Sequence, residues 1–454
     1  MNVSGMAISI IGAAKSGLSA ARSLIKCGAR VFISDIQSEE KLRQTLDREN
    51  LTGQIEFEAG GHTARVLDAD LIVLSPGVRT DIPILVEAAA RGISVYSEIE
   101  IAYRLSHGRR LVVTGSNGKT TTTTLLAEFC RKQFKDNVFL GGNIGIPMME
   151  FATKTTDASI QVLEVSSFQL ETISEFAPDI AIITNFFENH LDRYPSYKAY
   201  INAKKRIALN MKPESWLILN ADQSAMHEMA DVAPCKVAWF GWSTEGRFPS
   251  VTIKDQNFIY TSAEGSQHSL FPVSSVRIIG RHNLENIMCA ALAAILEGVP
   301  SDCLESVVKE FPGVEHRLEW VRELCGVTFI NDSKGTNCAA SVIAMRACRQ
   351  PQILIAGGRD KGTDLGEWAT AARTMTKGVV LYGEARSRFR SALEGLVPLK
   401  VAASFEQAVE IAYEWAQAGD TVLLSPACSS YDLFPNFEVR GEKFRELVKA
   451  LRTR

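Results

Sequence analysis

The chain has 454 residues, of which 46% are apolar and 22% charged, and Lys+Arg 49 against Asp+Glu 52 gives a net charge of −3. This length predicts about two to four domains with cores of their own, and the even charge balance argues against a general nucleic-acid binder, which carries a basic excess. No apolar run approaches the roughly 18 residues of a membrane span, the opening MNVSGMAISIIG lacks the basic start of a signal peptide, and nine scattered cysteines without C-x-x-C spacing read as reduced thiols in a cytoplasm rather than a disulfide frame or a zinc site.

In chain order, Ala7–Ile11 reads as a short strand, Gly12–Gly17 as a turn, and Leu18–Cys27 as a helix stopped by Gly28. Arg30–Ser34 is the next strand, with Asp35 at its end. This is a βαβ unit of the dinucleotide-binding type, in which Gly12 and Gly17 keep the tight turn and the close helix–strand packing. Ala14 occupies the second glycine position of G-x-G-x-x-G, so another nucleotide or a diphosphate fits as well as a nicotinamide cofactor. Asp35 stands where a ribose is usually bonded, and Lys15, Ser16 and Gly17 are candidate substrate contacts beside it. Asp70–Val78 is a strand ending in a turn, so Ser75, Pro76 and Gly77 face the same crevice. A strand at Gly92–Ser97 completes a first domain that ends near Ser106–Arg109.

The stretch Leu111–Thr124, LVVTGSNGKTTTTT, organises the second unit. An apolar strand turns through Gly115 and Gly118 and presents Lys119 and Thr120 at the start of a helix, Leu125–Phe134. Such a turn aims backbone N–H groups at one spot, where the helix dipole and Lys119 add positive charge. A polyphosphate fits there, and the Thr120 hydroxyl suits its Mg²⁺. Val113 stands where the usual phosphate loop has its first glycine. Asn137–Leu140 is a strand running into Gly141–Gly145, which includes Asn143. Ser159–Ser167 is another strand, with Glu164 in an apolar setting and Ser166 just beyond. A carboxylate on a strand adjoining a phosphate-loop strand commonly binds Mg²⁺. Asp179–Asn185 is followed by Glu188, Asn189, His190 and Asp192, where His190 reads equally as a metal ligand or a loop histidine.

Tyr197–Met211 reads as a helix in which Lys204 and Lys205 form a solvated basic face. Trp216–Leu219 and Lys236–Phe240 are strands, and weak alternation over Phe248–Val276 with Ala263–Ser266 suggests a hairpin. Arg281–Asn286 opens an apolar helix, Ile287–Leu296, ended by Gly298 and Pro300. Asn283 and Asn286 share one helical face, which suits a purine edge or a cap. A third unit begins near Phe311-Pro-Gly313, with strands at Val327–Ile330, Gln352–Ile355, Gly378–Leu381 and Thr421–Leu424. Their ends carry Asn331–Asn337, Gly357–Gly362 and Ser425–Ser430, and polar groups at successive strand ends read as a ligand crevice. A Mg²⁺-nucleotide site between two further ligand domains suits an ATP-dependent ligase or kinase. A nicotinamide oxidoreductase leaves the phosphate loop and Glu164 unexplained. A nucleotide-binding regulator has no need of the last crevice.

The ordered motifs Val113–Thr121, Gly141–Gly145, Glu164–Leu170, Thr184-Asn185, His190–Tyr194, Gly280–Asn286, His316-Arg317 and Asn331–Lys334 resemble the Mur ligase family over essentially the whole chain. Val113 is ordinary in that family. Folylpolyglutamate synthases, which belong to the same family, place the phosphate loop near the N-terminus, whereas about 110 residues precede it here. Gly357–Gly362, Ser425–Phe437 and Arg440-Gly441 resemble the family member that adds D-glutamate to UDP-N-acetylmuramoyl-L-alanine. The resemblance implies an α/β protein of three domains. Residues 1–107 would be a Rossmann-like UDP-substrate domain, 108–312 a central phosphate-loop sheet, and 313–454 a Rossmann-like domain that closes over ATP and the amino acid. It implies a cytoplasmic, monomeric enzyme of peptidoglycan precursor synthesis, and through it of cell-wall construction, cell shape and division.

Catalytic roles would fall to Lys119, Glu164, His190 and Lys204, with two Mg²⁺ held by Thr120, Glu164, His190 and a carbamylated Lys204. That modification overrides the solvated-face reading of Lys204 and leaves it for Lys205. ATP would be held by Ser116, Asn117, Gly118, Lys119, Thr120, Thr121, Thr122, Asn283, Asn286, Arg317 and Asp332. The nucleotide substrate and D-glutamate would meet Lys15, Ser16, Gly17, Asp35, Ser75, Pro76, Gly77, Asn143, Ser166, Lys334, Thr336, Lys361, Ser430 and Phe437.

Overall fold

The computed structural model describes residues 1–188, 193–360 and 362–453, which fold into three sheets. The first holds β1 (Ala7–Ile11), β2 (Arg30–Asp35), β3 (Glu56–Ala59), β4 (Leu71–Leu74) and β5 (Ser94–Ser97), all parallel, in the order β3-β2-β1-β4-β5. Strand order reverses at β1, and the turns after β1 and β4 therefore open on one crevice.

The second sheet has nine strands: β6 (Arg109–Thr114), β7 (Val138–Gly142), β8 (Ile160–Glu164), β9 (Ile180–Ile183), β10 (Trp216–Asn220), β11 (Lys236–Phe240), β12 (Ser250–Lys254), β13 (Asn257–Thr261) and β14 (Gln267–Pro272). Their order is β14-β13-β12-β11-β10-β9-β6-β8-β7, so the phosphate-loop strand β6 lies between β8, which ends in Glu164, and β9. The weakly alternating stretch forms β12–β14, and Ser262 donates to the Ser266 carbonyl across the expected hairpin turn.

The third sheet comprises β15 (Glu319–Leu324), β16 (Val327–Asn331), β17 (Gln352–Gly357), β18 (Gly378–Tyr382), β19 (Leu399–Val401) and β20 (Thr421–Leu424), in the order β15-β16-β20-β17-β18-β19. Here the period-2 pleat can be followed residue by residue. Ile353, Ile355, Val380, Val422 and Leu424 enter one core with Phe405 and Phe444, while Leu354, Ala356, Val379, Leu381 and Leu423 enter the opposite core with Trp368 and Phe389. Sheets buried on both faces read as continuous apolar runs, which is why these strands were visible in the sequence.

The chain divides into two compact units, one of residues 1–273 and 285–307, the other of 274–284 and 308–454. The first unit contains both the five-stranded and the nine-stranded sheet, joined by one continuous core. That core runs from Ile8, Ala21 and Leu24 through Ile99, Ile101, Met148 and Met149 to Leu170, Ala181 and Leu217. The short helix Glu98–Leu105 is central to it. It buries Ile99, Ile101 and Ala102, and also Glu98 and Glu100. Glu100 accepts the backbone N–H groups of Ser174, Glu175 and Phe176 at 2.9–3.0 Å and a bond from Arg104 at 2.7 Å. No helix among the described residues is long and apolar enough to cross a membrane, and all nine cysteines are free thiols.

Three expected helices change. The first runs Lys15–Lys26, starting three residues before Leu18 with Gly17 inside it. The phosphate-loop helix is Lys119–Phe134, longer than expected, because the threonine run continues the turn that the loop begins. The basic helix is only Tyr197–Lys205, followed by a tight turn at Arg206–Ala208. There Arg206 reaches back to the carbonyls of Leu170 and Ile173 at 2.8 and 2.9 Å.

Candidate active site

The turn after β6 is built by the segment that follows β9. Asn185 accepts the N–H of Ser116 on its carbonyl and that of Asn117 on its amide oxygen, both at 2.9 Å. Thr184 Oγ1 donates to the Asn117 carbonyl at 2.6 Å. Ser116 Oγ donates to the Phe187 carbonyl and lies 3.0 Å from the Tyr200 hydroxyl. Gly118 has φ +81, in the left-handed region, and a Cβ there would stand 2.2 Å from Asn286 Oδ1. Glycine suits this backbone, and a Cβ would require the Asn286 amide to move. The helix then starts at Lys119, so the first-turn N–H groups, which have no intrahelical acceptor, point into the loop together with the positive end of the helix dipole. Lys119 Nζ lies 3.0 Å from the carbonyls of Gly115 and Ser116, folded over the same loop. Thr121 and Thr122 are buried behind it, and Thr122 Oγ1 is 3.4 Å from Asn286 Oδ1.

At the end of β8, Glu164 is 3% exposed and is held at both oxygens. Oε2 accepts the Thr120 hydroxyl at 2.7 Å, and Oε1 accepts Asn143 Nδ2 at 2.9 Å. Asn143 N also bonds the Glu164 carbonyl at 2.8 Å. Hydroxyl and carboxylate are oxygen donors, the type that Mg²⁺ takes. Among the described residues no three His, Cys, Asp or Glu side chains cluster as a metal cage. Mg²⁺ commonly completes its shell with waters and substrate phosphates, so two such protein donors can hold it. Lys204 is 2% exposed, with Nζ 4.8 Å from the centroid of the Tyr200 ring. Burial, and then the charge of Lys119, push its ammonium well below the usual lysine range, with Glu164 opposing them. Lys205 is half-buried. His190 lies outside the described residues.

On the first sheet, Gly17 packs so closely that a Cβ would stand 2.0 Å from the Gly12 carbonyl oxygen. Ser75 Oγ donates to that same carbonyl at 2.9 Å, joining the turns after β1 and β4. Asp35 accepts the N–H of Ala13 at 2.6 Å and of Gln37 at 2.8 Å, so its carboxylate shapes the turn. Pro76 is partly exposed and Gly77 exposed at the mouth. Lys15 Nζ donates to the Gly145 carbonyl, and Ser16 lies near the buried Glu98. Ser166 caps the helix Ser167–Leu170, exchanging bonds with Gln169.

The second unit gathers its own group at the ends of β16 and β20. Asp332 is 5% exposed. It accepts Ser425 Oγ at 2.7 Å, and burial pushes its carboxyl up to about 7 despite Ser425 and the nearby Arg317. Lys334 Nζ lies 5.6 Å from the centroid of the Phe437 ring, and Ser333 Oγ donates to the Phe437 carbonyl at 2.8 Å. Thr336 N bonds the Lys334 carbonyl, and the buried Ser430 accepts the N–H of Leu433 and Phe434 on its carbonyl. Arg440 is fully buried and donates to Ser333 Oγ, to the carbonyls of Ser333 and Cys428, and to the Tyr382 hydroxyl at 3.5 Å. Asn283 Nδ2 donates to the Ile279 carbonyl at 2.7 Å. Lys361 lies outside the described residues.

Comparison with known proteins follows the same three-part division. Residues 6–97 match the N-terminal domain of MurD-like Mur ligases, 113–294 the Mur ligase middle domain, and 316–428 the Mur ligase glutamate ligase domain. The UDP-N-acetylmuramoylalanine–D-glutamate ligase of Alkaliphilus metalliredigens is 38% identical over 457 residues, covering 100% of this chain and 100% of the relative. The protein of the same name from Acidobacterium capsulatum is 40% identical, covering 100% of this chain and 98% of the relative. The chain belongs to the Mur ligase family. Solved Mur ligases share the fold at low identity. UDP-N-acetylmuramate–alanine ligase MurC of Thermotoga maritima gives a TM-score of 0.59 at 18% identity, covering 98% of this chain and 99% of that one. MurF of the same organism, solved with ADP, gives 0.58 at 16%, covering 93% and 96%.

Several groups that hold this Mur ligase site together were not singled out from the sequence. Tyr200, Glu98, Gln169 and Glu171 are among them. Glu98 did leave a signal, a carboxylate with Glu100 in the otherwise apolar run Ile99–Ala102. Glu171 and Tyr200 left none, since their partners are distant in the chain.

Proposed function

We propose that this Mur ligase joins D-glutamate to UDP-N-acetylmuramoyl-L-alanine, converting ATP to ADP and phosphate, in cytoplasmic peptidoglycan precursor synthesis. The observation that carries this reading is the end-to-end match, at 38–40% identity, to ligases named for that reaction. A carboxylate is a poor electrophile. Attack of its oxygen on the γ-phosphorus of ATP expels ADP and yields an acyl phosphate. The amine of D-glutamate then adds to the acyl carbon, and phosphate leaves as the amide forms. Lys119, folded over the phosphate loop, stabilises charge on the transferring phosphoryl group, with the loop N–H groups beside it. When bound, Mg²⁺ would neutralise charge on the phosphates, held by Thr120 and Glu164.

Within this reading, residues 1–107 take the UDP substrate through Lys15–Gly17, Asp35 and Ser75–Gly77. Residues 108–312 take ATP, with Asn143 and Ser166 beside the reacting end. Residues 313–454 take D-glutamate through Lys334, Thr336, Lys361, Ser430 and Phe437, while Arg317 and Asp332 serve the nucleotide. Lys204 is carbamylated. Only the neutral amine adds to CO₂, and its buried place beside Lys119 favours that form. The product is an anionic oxygen donor, the type Mg²⁺ prefers.

A coupled assay over a panel of amino acids tests the reading. ADP and phosphate should appear only with UDP-N-acetylmuramoyl-L-alanine and D-glutamate together, and equal turnover with L-glutamate or D-alanine overturns it. For Lys204, isotope-labelled bicarbonate should give a carbamate carbon signal that is absent in Lys204→Ala, and short carboxylates should restore part of that variant's activity. A spectrum unchanged by the substitution overturns the carbamate.

A further inference from the structure

Arg193 stands at the junction of the two sheets of the first unit and spends its whole guanidinium on it. Nη1 donates to the Pro76 carbonyl at 3.2 Å and Nη2 to the Val78 carbonyl at 3.0 Å, both on the turn after β4. On its other edge, Nη2 and Nε bond the two oxygens of Glu171 at 2.7 and 3.3 Å. Its plane lies over the Phe168 ring, with Cζ 4.2 Å from the centroid. Arg193 and Glu171 are 12% and 14% exposed, so this pair is desolvated more than a surface ion pair. A planar fork with five donors can make all these contacts at once, and an ammonium cannot.

The contacts continue toward the phosphate loop. Tyr194, the next residue, donates its hydroxyl to Glu171 Oε1 at 2.6 Å. Its ring packs on Tyr200, with centroids 5.5 Å apart. The Tyr200 hydroxyl lies 3.0 Å from Ser116 Oγ. One unbroken series of side chains therefore runs from the Pro76–Val78 carbonyls to the loop that carries Lys119.

We infer that Arg193 is a positioning residue that fixes the turn after β4 for the nucleotide-sugar substrate and, through Glu171, Tyr194 and Tyr200, links occupancy of that turn to nucleotide binding at the phosphate loop. This rests on the ligase reading above. The turn is anchored to its own sheet through Ser75, whose N–H bonds the Ile11 carbonyl and whose hydroxyl bonds the Gly12 carbonyl. Arg193 supplies the tie to the second sheet, so a substrate resting on Ser75–Gly77 presses on a turn that Arg193 holds. Linkage of this kind is reciprocal: each ligand must change the affinity of the other by the same factor.

The test uses the full-length enzyme and the variants Arg193→Met, Arg193→Lys and Glu171→Gln. Losing the charged hydrogen bonds should raise KM for UDP-N-acetylmuramoyl-L-alanine about tenfold in Arg193→Met, with KM for D-glutamate unchanged. Arg193→Lys should recover part of that loss. In calorimetry, the nucleotide sugar should change the affinity of the wild-type enzyme for a non-hydrolysable ATP analogue several-fold, and this factor should fall to one in Arg193→Met. Equal factors in wild type and variant, or a wild-type factor of one, overturn the linkage. A uniform loss in kcat with all KM values unchanged overturns the positioning role. Should Arg193→Met melt below the assay temperature, Glu171→Gln carries the same test, because it keeps the shape and removes the charge. A wild-type enzyme that does not bind the nucleotide sugar at all would defeat the ligase reading and is distinguishable from these outcomes.

Discussion

The first unit contains two turns of the same local design, one after β1 and one after β6. Each leaves a parallel strand, turns through glycine (Gly12 in one, Gly115 and Gly118 in the other), and enters a helix with a lysine at its first residue, Lys15 or Lys119. Their interiors differ. The turn after β1 is tied by Asp35, which accepts the Ala13 N–H, and by Ser75, which donates to the Gly12 carbonyl. The Lys15 side chain leaves it for the Gly145 carbonyl. The turn after β6 is shaped from outside by Asn185 and Thr184, and its lysine folds back over the loop. The same strand–turn–helix thus sends its lysine out to a neighbouring segment in one place and back over the loop in the other.

The largest test of this contrast is in the two lysines. Lys119→Ala should lower kcat about a thousandfold while leaving the melting temperature nearly unchanged. Lys15→Ala should cost less than about tenfold, chiefly in KM for the nucleotide sugar, as expected for an exposed polar contact. Comparable losses in steady-state kinetics would mean that both turns bind the reacting phosphates.

The glycines give the next effect. At Gly17 a new Cβ meets backbone 2.0 Å away, which cannot step aside. Gly17→Ala should therefore destabilise the fold by about 3 kcal/mol in urea unfolding. At Gly118 the obstacle is the end of the Asn286 side chain, which can move, so Gly118→Ala should cost only about 1–2 kcal/mol for the left-handed backbone. Its main effect should be a raised KM for ATP. The reverse order of stabilities would break the distinction between the two turns.

The smallest effect concerns pH. Burial pushes Glu98 up to about 7 from an ordinary value of 4.5, against the Gln169 hydrogen bond and the nearby Ser16 hydroxyl, which pull it down. With the folded value raised, the neutral acid stabilises the protein fully below about pH 4.5, and this contribution is lost as pH rises through about 7. Glu98→Gln keeps an oxygen to accept from Gln169 Nε2, now 2.7 Å from Glu98 Oε1. It should flatten the decline of melting temperature between pH 5 and 7. An unchanged slope would show that Glu98 is already ionised in the fold.

The fold was legible wherever burial was two-sided. Runs such as Ile353–Ala356 and Val422–Leu424 could be nothing but central strands. The edge strands β3 and β15 were missed because Glu56-Phe-Glu-Ala and Glu319-Trp-Val-Arg-Glu-Leu carry charge on their open faces, and β19 has only three residues. The phosphate loop and Glu164 were legible because their chemistry sits in a short span and on the adjoining strand. The bonds that orient them were not. Arg193 meets Pro76 across 117 positions and Gln169 meets Glu98 across 71, and spacing along the chain carries no trace of such pairs. The shortened helix at Tyr197–Lys205 has the same origin, since Arg206 is drawn to carbonyls more than 30 positions away.

The buried Arg440 of the second unit has a consequence for ionic strength. Its guanidinium is fully enclosed and bonded to hydroxyls and carbonyls beside Ser333 and Cys428. Mobile ions screen exposed charges within about 10 Å at 0.1 M salt but reach enclosed ones poorly. Within the enclosed ends of β16 and β20 its positive contribution is therefore screened less than that of a surface lysine. Once an acidic ligand is enclosed at those strand ends, its contact energy there should depend less on salt than the steering by surface lysines that brings it in.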